Sequence, residues 1–262
     1  MDLELKGRHV LVTGGSRGIG LACAREFLRE GARVTLVGRS RANMDQALAQ
    51  LQGEGFAAAG WCADLTDAAE ALRAVDQTEA AGGPIDVLVN SAGAARRTPF
   101  AELQPQAWHD AMQAKFFTYI HVMDPVVRRM GARGTGAIVN VVGMGGKVAS
   151  PTHLAGGAAN AALMLASAGL AAAWGPRGVR VNAVNPALTQ TERLAEGLAA
   201  DARLRNTTPE EVLRQAQAKM PLGRLATAEE IAAAVVFLAS PRASYISGAV
   251  LSMDGASVPM VV

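Results

Sequence analysis

The sequence predicts a doubly wound α/β fold in which seven parallel strands form one sheet with helices on both faces. Short β-branched runs alternate with helix-length segments along the whole chain, and this alternation is typical of a parallel sheet covered by helices. A glycine-rich stretch at residues 13–20 follows the first run and opens a helical segment. No Pro/Ser-rich linker divides the 262 residues, so we expect a single domain spanning residues 1–262.

Right-handed crossovers place the carboxyl ends of the strands at one edge, where a doubly wound sheet binds its ligand. The segment at residues 188–225 carries several helix-forming stretches and is predicted to be a substrate lid over that edge. The strands are predicted at residues 8–12, 33–37, 56–61, 85–89, 136–142, 178–184 and 246–251.

Composition excludes several classes of function. Half of the residues are apolar, 18% are charged and the net charge is +2, which argues against disorder and against a nucleic-acid partner. Only Cys23 and Cys62 are present, and the sequence begins without the charged-then-apolar pattern of a signal peptide. We therefore expect a protein of the reducing cytoplasm.

Residues 148–176 contain no charged side chain and are long enough to span a bilayer. They consist mostly of Ala and Gly rather than Leu, Ile or Phe, so we expect a buried helix and no membrane partner. Small side chains allow close helix contacts. Residues 154–174 are therefore expected to lie between the sheet and another subunit of a homodimer or homotetramer.

The glycine-rich stretch predicts a site for the phosphates of a nucleotide. Glycines let the backbone approach a pyrophosphate without Cβ clashes, and the free N–H groups of the following helix face the anion. The alternative is a glycine-rich turn without a ligand. The residues assigned to this phosphate cradle are Gly14, Ser16, Arg17, Gly18, Ile19 and Gly20.

The end of the second predicted strand favours NADP(H) over NAD(H). Gly38, Arg39 and Ser40 stand where NAD-binding folds usually place an acid that holds the ribose hydroxyls. Gly38 leaves room for a 2′-phosphate, and the guanidinium groups of Arg17 and Arg39 can bind it. The alternative is a pair of solvated surface arginines.

Together with residues farther along, these motifs resemble the short-chain dehydrogenase/reductase family over essentially the whole chain. The 14–20 stretch resembles its cofactor motif, and residues 90–93 resemble its Asn-Asn-Ala-Gly turn with one change. Residues 185–191 resemble its Pro-Gly-x-x-x-Thr segment over the nicotinamide, and residues 247–255 resemble its last strand. The resemblance implies a Rossmann-type fold and further cofactor contacts at Asp64 (to the adenine), Leu65, Asn90, Ala92, Gly93, Pro186, Leu188 and Thr189.

The sequence departs from the family at the catalytic positions. The family uses an Asn, a Ser and a Tyr-x3-Lys pair, and the matching positions here hold Lys115, Gly143, Gly156 and Asn160. Neither tyrosine of the sequence precedes a lysine by four positions. The usual general acid and carbonyl hydrogen bond, each worth about a hundredfold in rate or more, are therefore missing.

The two glycines are expected to open volume beside the nicotinamide, and Lys115 is expected to point into it. There the ammonium would hold an anionic oxygen or act as an acid/base group, with Asn160 orienting the ammonium or a bridging water. The alternative is that Lys115 turns away and pairs with Asp110 or Glu102.

His153 is a further candidate proton donor, and Arg96 and Arg97 are candidate substrate ligands, although all three could be solvated loop residues. No metal site is expected.

The sequence leaves three functions open. The first is an unorthodox NADP(H)-dependent oxidoreductase acting on a small anionic carbonyl or enol compound. The others are a cofactor-binding pseudoenzyme and a non-redox hydratase, hydrolase or isomerase.

Overall fold

The computed structural model describes residues 1–93 and 95–259. Its strands, in chain order, are β1 (His9–Thr13), β2 (Arg33–Gly38), β3 (Ala58–Cys62), β4 (Val87–Asn90), β5 (Gly136–Val141), β6 (Val179–Pro186), β7 (Thr189–Gln190), β8 (Ala226–Thr227) and β9 (Val250–Met253). Seven of them form one parallel sheet in the order β3-β2-β1-β4-β5-β6-β9. The predicted doubly wound seven-stranded sheet is confirmed.

The predicted bounds are least accurate at the last strand of this sheet. Residues 246–251 were expected to form it, but β9 begins only at Val250. Gly248 has φ +79°, and its N–H donates to the carbonyl of Val181 at 2.8 Å. The chain therefore turns at Gly248 before it can run alongside β6.

Nine helices are described: α1 (Gly18–Arg29), α2 (Arg41–Gly53), α3 (Ala68–Gly82), α4 (Pro105–Ala111), α5 (Thr118–Arg133), α6 (Leu154–Trp174), α7 (Glu192–Arg205), α8 (Pro209–Ala218) and α9 (Ala228–Ala239). Helices α1, α2 and α9 cover one face of the large sheet, and α3, α5 and α6 cover the other. Strand side chains alternate between these layers: Val10 and Val12 belong to the first core and Leu11 to the second.

Helix α6 has the bounds expected from the sequence, and it is buried along one side only. Ala159, Leu163 and Ser167 are fully buried, whereas Leu165 is 78% exposed. Among the described helices, α6 alone is long and apolar enough to cross a membrane. Core helices of soluble proteins can have the same length and composition. Its buried side packs on the sheet.

The segment predicted to be a lid leaves the sheet after β6 and returns to it at α9. Strand β7 pairs with β8 in a short parallel ribbon at the two ends of the segment. Between them, α7 and α8 pack on each other through Leu198, Ala202 and Val212, which form an apolar cluster separate from the two main cores.

A chain of buried hydrogen bonds crosses the sheet at its carboxyl edge. Thr13 Oγ1 donates to Asn90 Oδ1 at 3.2 Å, and Asn90 Nδ2 donates to Asn140 Oδ1 at 2.9 Å. Asn140 Nδ2 in turn donates to Ser167 Oγ at 2.9 Å. These bonds link β1, β4, β5 and α6 and so fix the residues that border the ligand crevice.

Candidate active site

The glycine-rich loop between β1 and α1 has the geometry of a phosphate cradle. A Cβ at Gly14 would lie 2.7 Å from the carbonyl oxygen of Ser91, and one at Gly20 would overlap the carbonyl of Gly14. Side chains cap α2, α3, α8 and α9, but among the described residues none caps α1. The first N–H groups of α1 are therefore open to an anion, which fits a bound nucleotide phosphate.

Of the residues predicted to surround the 2′-phosphate, Gly38 lies directly beside this cradle. Gly38 lies beside Ser16, since a Cβ at Gly38 would be 3.1 Å from Ser16 Oγ. Arg17 and Arg39 are exposed, and neither forms an ion pair with any described residue. Ser40 plays a different role from the one expected: its Oγ accepts from the N–H of Asn43 at 3.3 Å and caps α2.

Asp64 is held as an ionised carboxylate after β3. Its Oδ1 accepts from the N–H of Thr66 at 3.0 Å and from Thr66 Oγ1 at 2.8 Å. The backbone hydrogen bond from Thr66 is the main cause that lowers the pKa of Asp64, and the charge of Arg39 adds to it. The side chain of the neighbouring Leu65 lies in the core and is 3% exposed, so the cofactor contact predicted at Leu65 would come from its backbone.

The cofactor contact predicted at Asn90 falls to its backbone rather than to its side chain. It is fully buried, and its hydrogen bonds to Thr13 and Asn140 hold the sheet together. The following turn depends on Gly93, which has φ +79° and whose Cβ would overlap the carbonyl of Ala114. Asn90 and Gly93 therefore position the turn that contains Ala92.

The segment after β6 closes over the start of α1. Pro186 ends β6 beside Met253, and Leu188 comes two positions later with a half-buried side chain. Thr189 is buried, and its Oγ1 donates to the carbonyl of Ala187 at 3.1 Å. Thr191 lies 3.5 Å from the Cβ position of Gly18.

Lys115 lies at the centre of the site, in a π-helical segment (Met112–Phe117) between α4 and α5. The residue is only 8% exposed. Its Nζ donates to Tyr119 Oη at 2.8 Å and to the carbonyl of Val141 at 3.1 Å. The alternative pairing with Asp110 or Glu102 is wrong, since the buried amine donates to that hydroxyl and that carbonyl whereas both carboxylates are exposed.

The surroundings of Lys115 favour its neutral form. Burial is the main cause that lowers the pKa of its amine from 10.5 to about 7, and the nearby charge of Arg193 contributes. Burial raises the pKa of Tyr119, which keeps its proton. Lys115 can therefore gain or lose a proton near neutral pH, whereas Tyr119 cannot.

Gly143 provides the open side of the site. It lies two positions after the end of β5 with φ +129°, and a Cβ there would meet only Asn160 Nδ2 at 3.3 Å and the carbonyl of Pro186 at 3.9 Å among the described atoms. Asn160 Nδ2 faces the Gly143 carbonyl at a long 3.5 Å. No hydrogen bond joins Asn160 to Lys115 within the described part of the chain, and orientation of a bridging water by Asn160 stays a prediction.

The expectation that Gly156 leaves an empty volume is wrong, because the imidazole of His153 occupies it. A Cβ at Gly156 would overlap this ring, and a Cβ at Gly145 would lie 2.9 Å from its Cδ2. His153 Nδ1 is buried without a hydrogen-bond partner among the described residues. Burial is the main cause that lowers the pKa of His153. The nearby charges of Arg97, Lys115 and Arg193 lower this pKa further.

The two candidate substrate arginines have different environments. Arg97 Nη1 lies 3.4 Å from Thr152 Oγ1 and 3.5 Å from the carboxylate of Asp201 on α7. It therefore ties the loop before α6 to the predicted lid. Arg96 is exposed and has no such contact among the described residues.

Tyr119 is the site residue that sequence reasoning missed. In a Tyr-x3-Lys pair the lysine comes after the tyrosine, whereas Lys115 precedes Tyr119 by four positions. Residues at this spacing on a helix lie on one face. The reversed order, Lys-x3-Tyr, was the available signal.

Residues 14–256 match the family model described as enoyl-(acyl carrier protein) reductase. D-threitol dehydrogenase of Mycolicibacterium smegmatis is 38% identical over 257 residues, which are 97% of this chain and 94% of the relative. Gluconate 5-dehydrogenase of Gluconobacter oxydans is 36% identical over 96% of this chain and 95% of its own. L-sorbose reductase of Gluconobacter frateurii, solved with NADPH and L-sorbose, aligns over 100% of both chains with 28% identity and a TM-score of 0.91.

The chain therefore belongs to the short-chain dehydrogenase/reductase family, as its motifs predicted. These relatives are oxidoreductases of small polyhydroxylated compounds by name.

The position of His153 predicts the effect of a single methyl group. Gly156→Ala should push the ring out of its buried seat, so the pKa of His153 should rise towards its ordinary 6.5. The measurement is an NMR titration of the imidazole signals. Gly169→Ala is the matched control on α6, because a Cβ there has no described atom within 4 Å. Equal midpoints for His153 in the two variants would contradict this placement.

Proposed function

We propose that the protein is a cytoplasmic NADP(H)-dependent oxidoreductase that transfers a hydride between the nicotinamide and a small anionic carbonyl or enol compound, with Lys115 as its acid/base group. The observation that carries this proposal is the buried Lys115 amine, which has no carboxylate partner among the described residues and donates to the Val141 carbonyl, two positions before Gly143. Both cysteines are free thiols, which is compatible with a reducing compartment.

The bound nicotinamide would supply or accept the hydride. The protein's part is to neutralise the negative charge that develops on the substrate oxygen. An ammonium has three N–H donors, and Tyr119 Oη and the Val141 carbonyl accept two of those of Lys115. The third is available to the substrate oxygen. Carbonyl reduction needs the ammonium form of Lys115, and alcohol oxidation needs its neutral amine form. A pKa of about 7 for Lys115 therefore suits both directions.

The charge of the site supports an anionic substrate. Arg97, Lys115 and Arg193 are close enough to lower the pKa of His153 through their charges. The carboxylate of Asp201 pairs with Arg97. A substrate carboxylate or enolate would offset this positive potential, and one relative is named for oxidising the sugar acid gluconate.

Replacing Lys115 tests the proposal directly. A screen of ketoses, sugar acids and keto acids, followed by NADPH absorbance, should first identify a substrate. Lys115→Met should then lower kcat/KM at least about tenfold, or about 1.4 kcal/mol of barrier. The affinity for NADPH should not change, because the phosphates bind at the start of α1.

Lys219→Met, at an exposed lysine after α8, is the matched control and should retain full activity. Full activity of Lys115→Met would contradict the catalytic role. Tight NADPH binding without turnover of any compound would favour the pseudoenzyme.

Arg39 is proposed to select NADPH over NADH. Arg39→Asp should reverse the preference, because a carboxylate repels the 2′-phosphate and accepts the free ribose hydroxyls. Titration of both cofactors measures the ratio of affinities. Arg73→Asp, at an exposed position on α3, is the control for the change in net charge. Equal affinity of the unmodified protein for the two cofactors would refute the proposal.

We propose that residues 188–225 form a lid that closes over the substrate.

We also propose that α6 forms the interface of a homodimer or homotetramer. The exposed side of α6 is free of charge, and Leu165 lies on it. Leu165→Glu should place a charge in that interface and yield smaller particles in sedimentation experiments. Leu72→Glu on α3, where the leucine is 42% exposed, should leave the assembly intact. A monomeric parent protein at micromolar concentration would be inconsistent with this interface.

A further inference from the structure

We propose that Tyr119 is a positioning residue: its hydroxyl, anchored on the Val141 carbonyl, holds the Lys115 amine at the end of β5. The structural part of this proposal stands on contacts alone. Its consequence for turnover rests on the function proposed above.

Tyr119 is buried completely and has one hydroxyl proton to give. The Val141 carbonyl accepts that proton at 2.5 Å. The hydroxyl oxygen can then only accept, and Lys115 Nζ donates to it at 2.8 Å. The same Val141 carbonyl accepts from Lys115 at 3.1 Å, so the three groups form a closed triangle.

This triangle ties the position of the amine to the end of β5. Val141 is the last residue of β5 and stands two positions before Gly143. Lys115 and Tyr119 come from the π-helical segment and the start of α5, respectively. Movement of this helix relative to β5 would break both hydrogen bonds to the Val141 carbonyl at once, one from the amine and one from the Tyr119 hydroxyl.

The triangle also sets the charge of Lys115. Acceptors at two of its N–H groups favour the ammonium, whereas burial and the charge of Arg193 on α7 oppose it. The other titratable and charged groups facing this region are His153, at the start of α6, and Arg97, on the loop after β4. Removing the Tyr119 hydroxyl takes away one acceptor and should lower the pKa of Lys115 further, by about one unit.

The sequence offers a direct spectroscopic test, because it contains only two tyrosines and Tyr245 is fully exposed. In Tyr245→Phe protein labelled with ¹³Cζ-tyrosine, the one signal is that of Tyr119. We expect it to shift with a midpoint near pH 7, as its donor changes from ammonium to amine. The transition should vanish in Lys115→Met and persist in His153→Gln. A flat titration, or a transition that survives Lys115→Met, would overturn the proposal.

Kinetics separate positioning from a merely structural role. The rate of carbonyl reduction should fall as pH rises through the pKa of Lys115, since the ammonium is the acid. In Tyr119→Phe this fall should occur about one pH unit lower. If Tyr119→Phe lowers the rate but the fall still occurs at the same pH as in the unmodified protein, Tyr119 only supports the fold. This result would refute the proposal. If no substrate is turned over, the proposed function fails, while the NMR transition still decides the role of Tyr119.

Discussion

The site depends on one constraint: the Lys115 amine is buried against Tyr119 and the Val141 carbonyl without a carboxylate among the described residues to neutralise it. The unfolded chain binds the lysine proton up to pH about 10.5, whereas the folded protein releases it at about 7. Between these values the unfolded state holds more protons, so the free energy of unfolding rises with pH. Below pH 7 the buried charge destabilises the fold. Groups that lower stability in this way are found mainly at functional sites.

The surrounding fold supports this arrangement from three sides. The π-helical segment places Lys115 over the end of β5, and Gly93 lets the turn after β4 pack against that segment. Hydrogen bonds of Asn140 fix β5 between β4 and α6. On the third side, the ring of His153 fills the space over Gly156. The amine is therefore held at the Val141 carbonyl, at the end of β5.

The sequence predicted the layers and the cofactor cradle, because both depend on short-range patterns. Alternation of strands and helices determines the sheet, and the glycine spacing at residues 14–20 determines the turn into α1. Contacts between distant residues could not be predicted. A glycine such as Gly156 shows that a side chain is missing, but not that His153 takes its place. Likewise, the φ of +129° at Gly143 depends on the packing of the loop after β5 and could not be predicted from the sequence.

The central claim is that Lys115 is an amine that titrates near neutral pH at the reaction centre. The most direct measurement is an NMR titration of protein labelled with ¹³Cε-lysine, in which the Lys115 signal is assigned by its loss in Lys115→Met. The account predicts a midpoint near pH 7 for this signal. A midpoint at the ordinary lysine value of about 10.4 would contradict it, because a permanently charged Lys115 could not exchange a proton with the substrate at neutral pH.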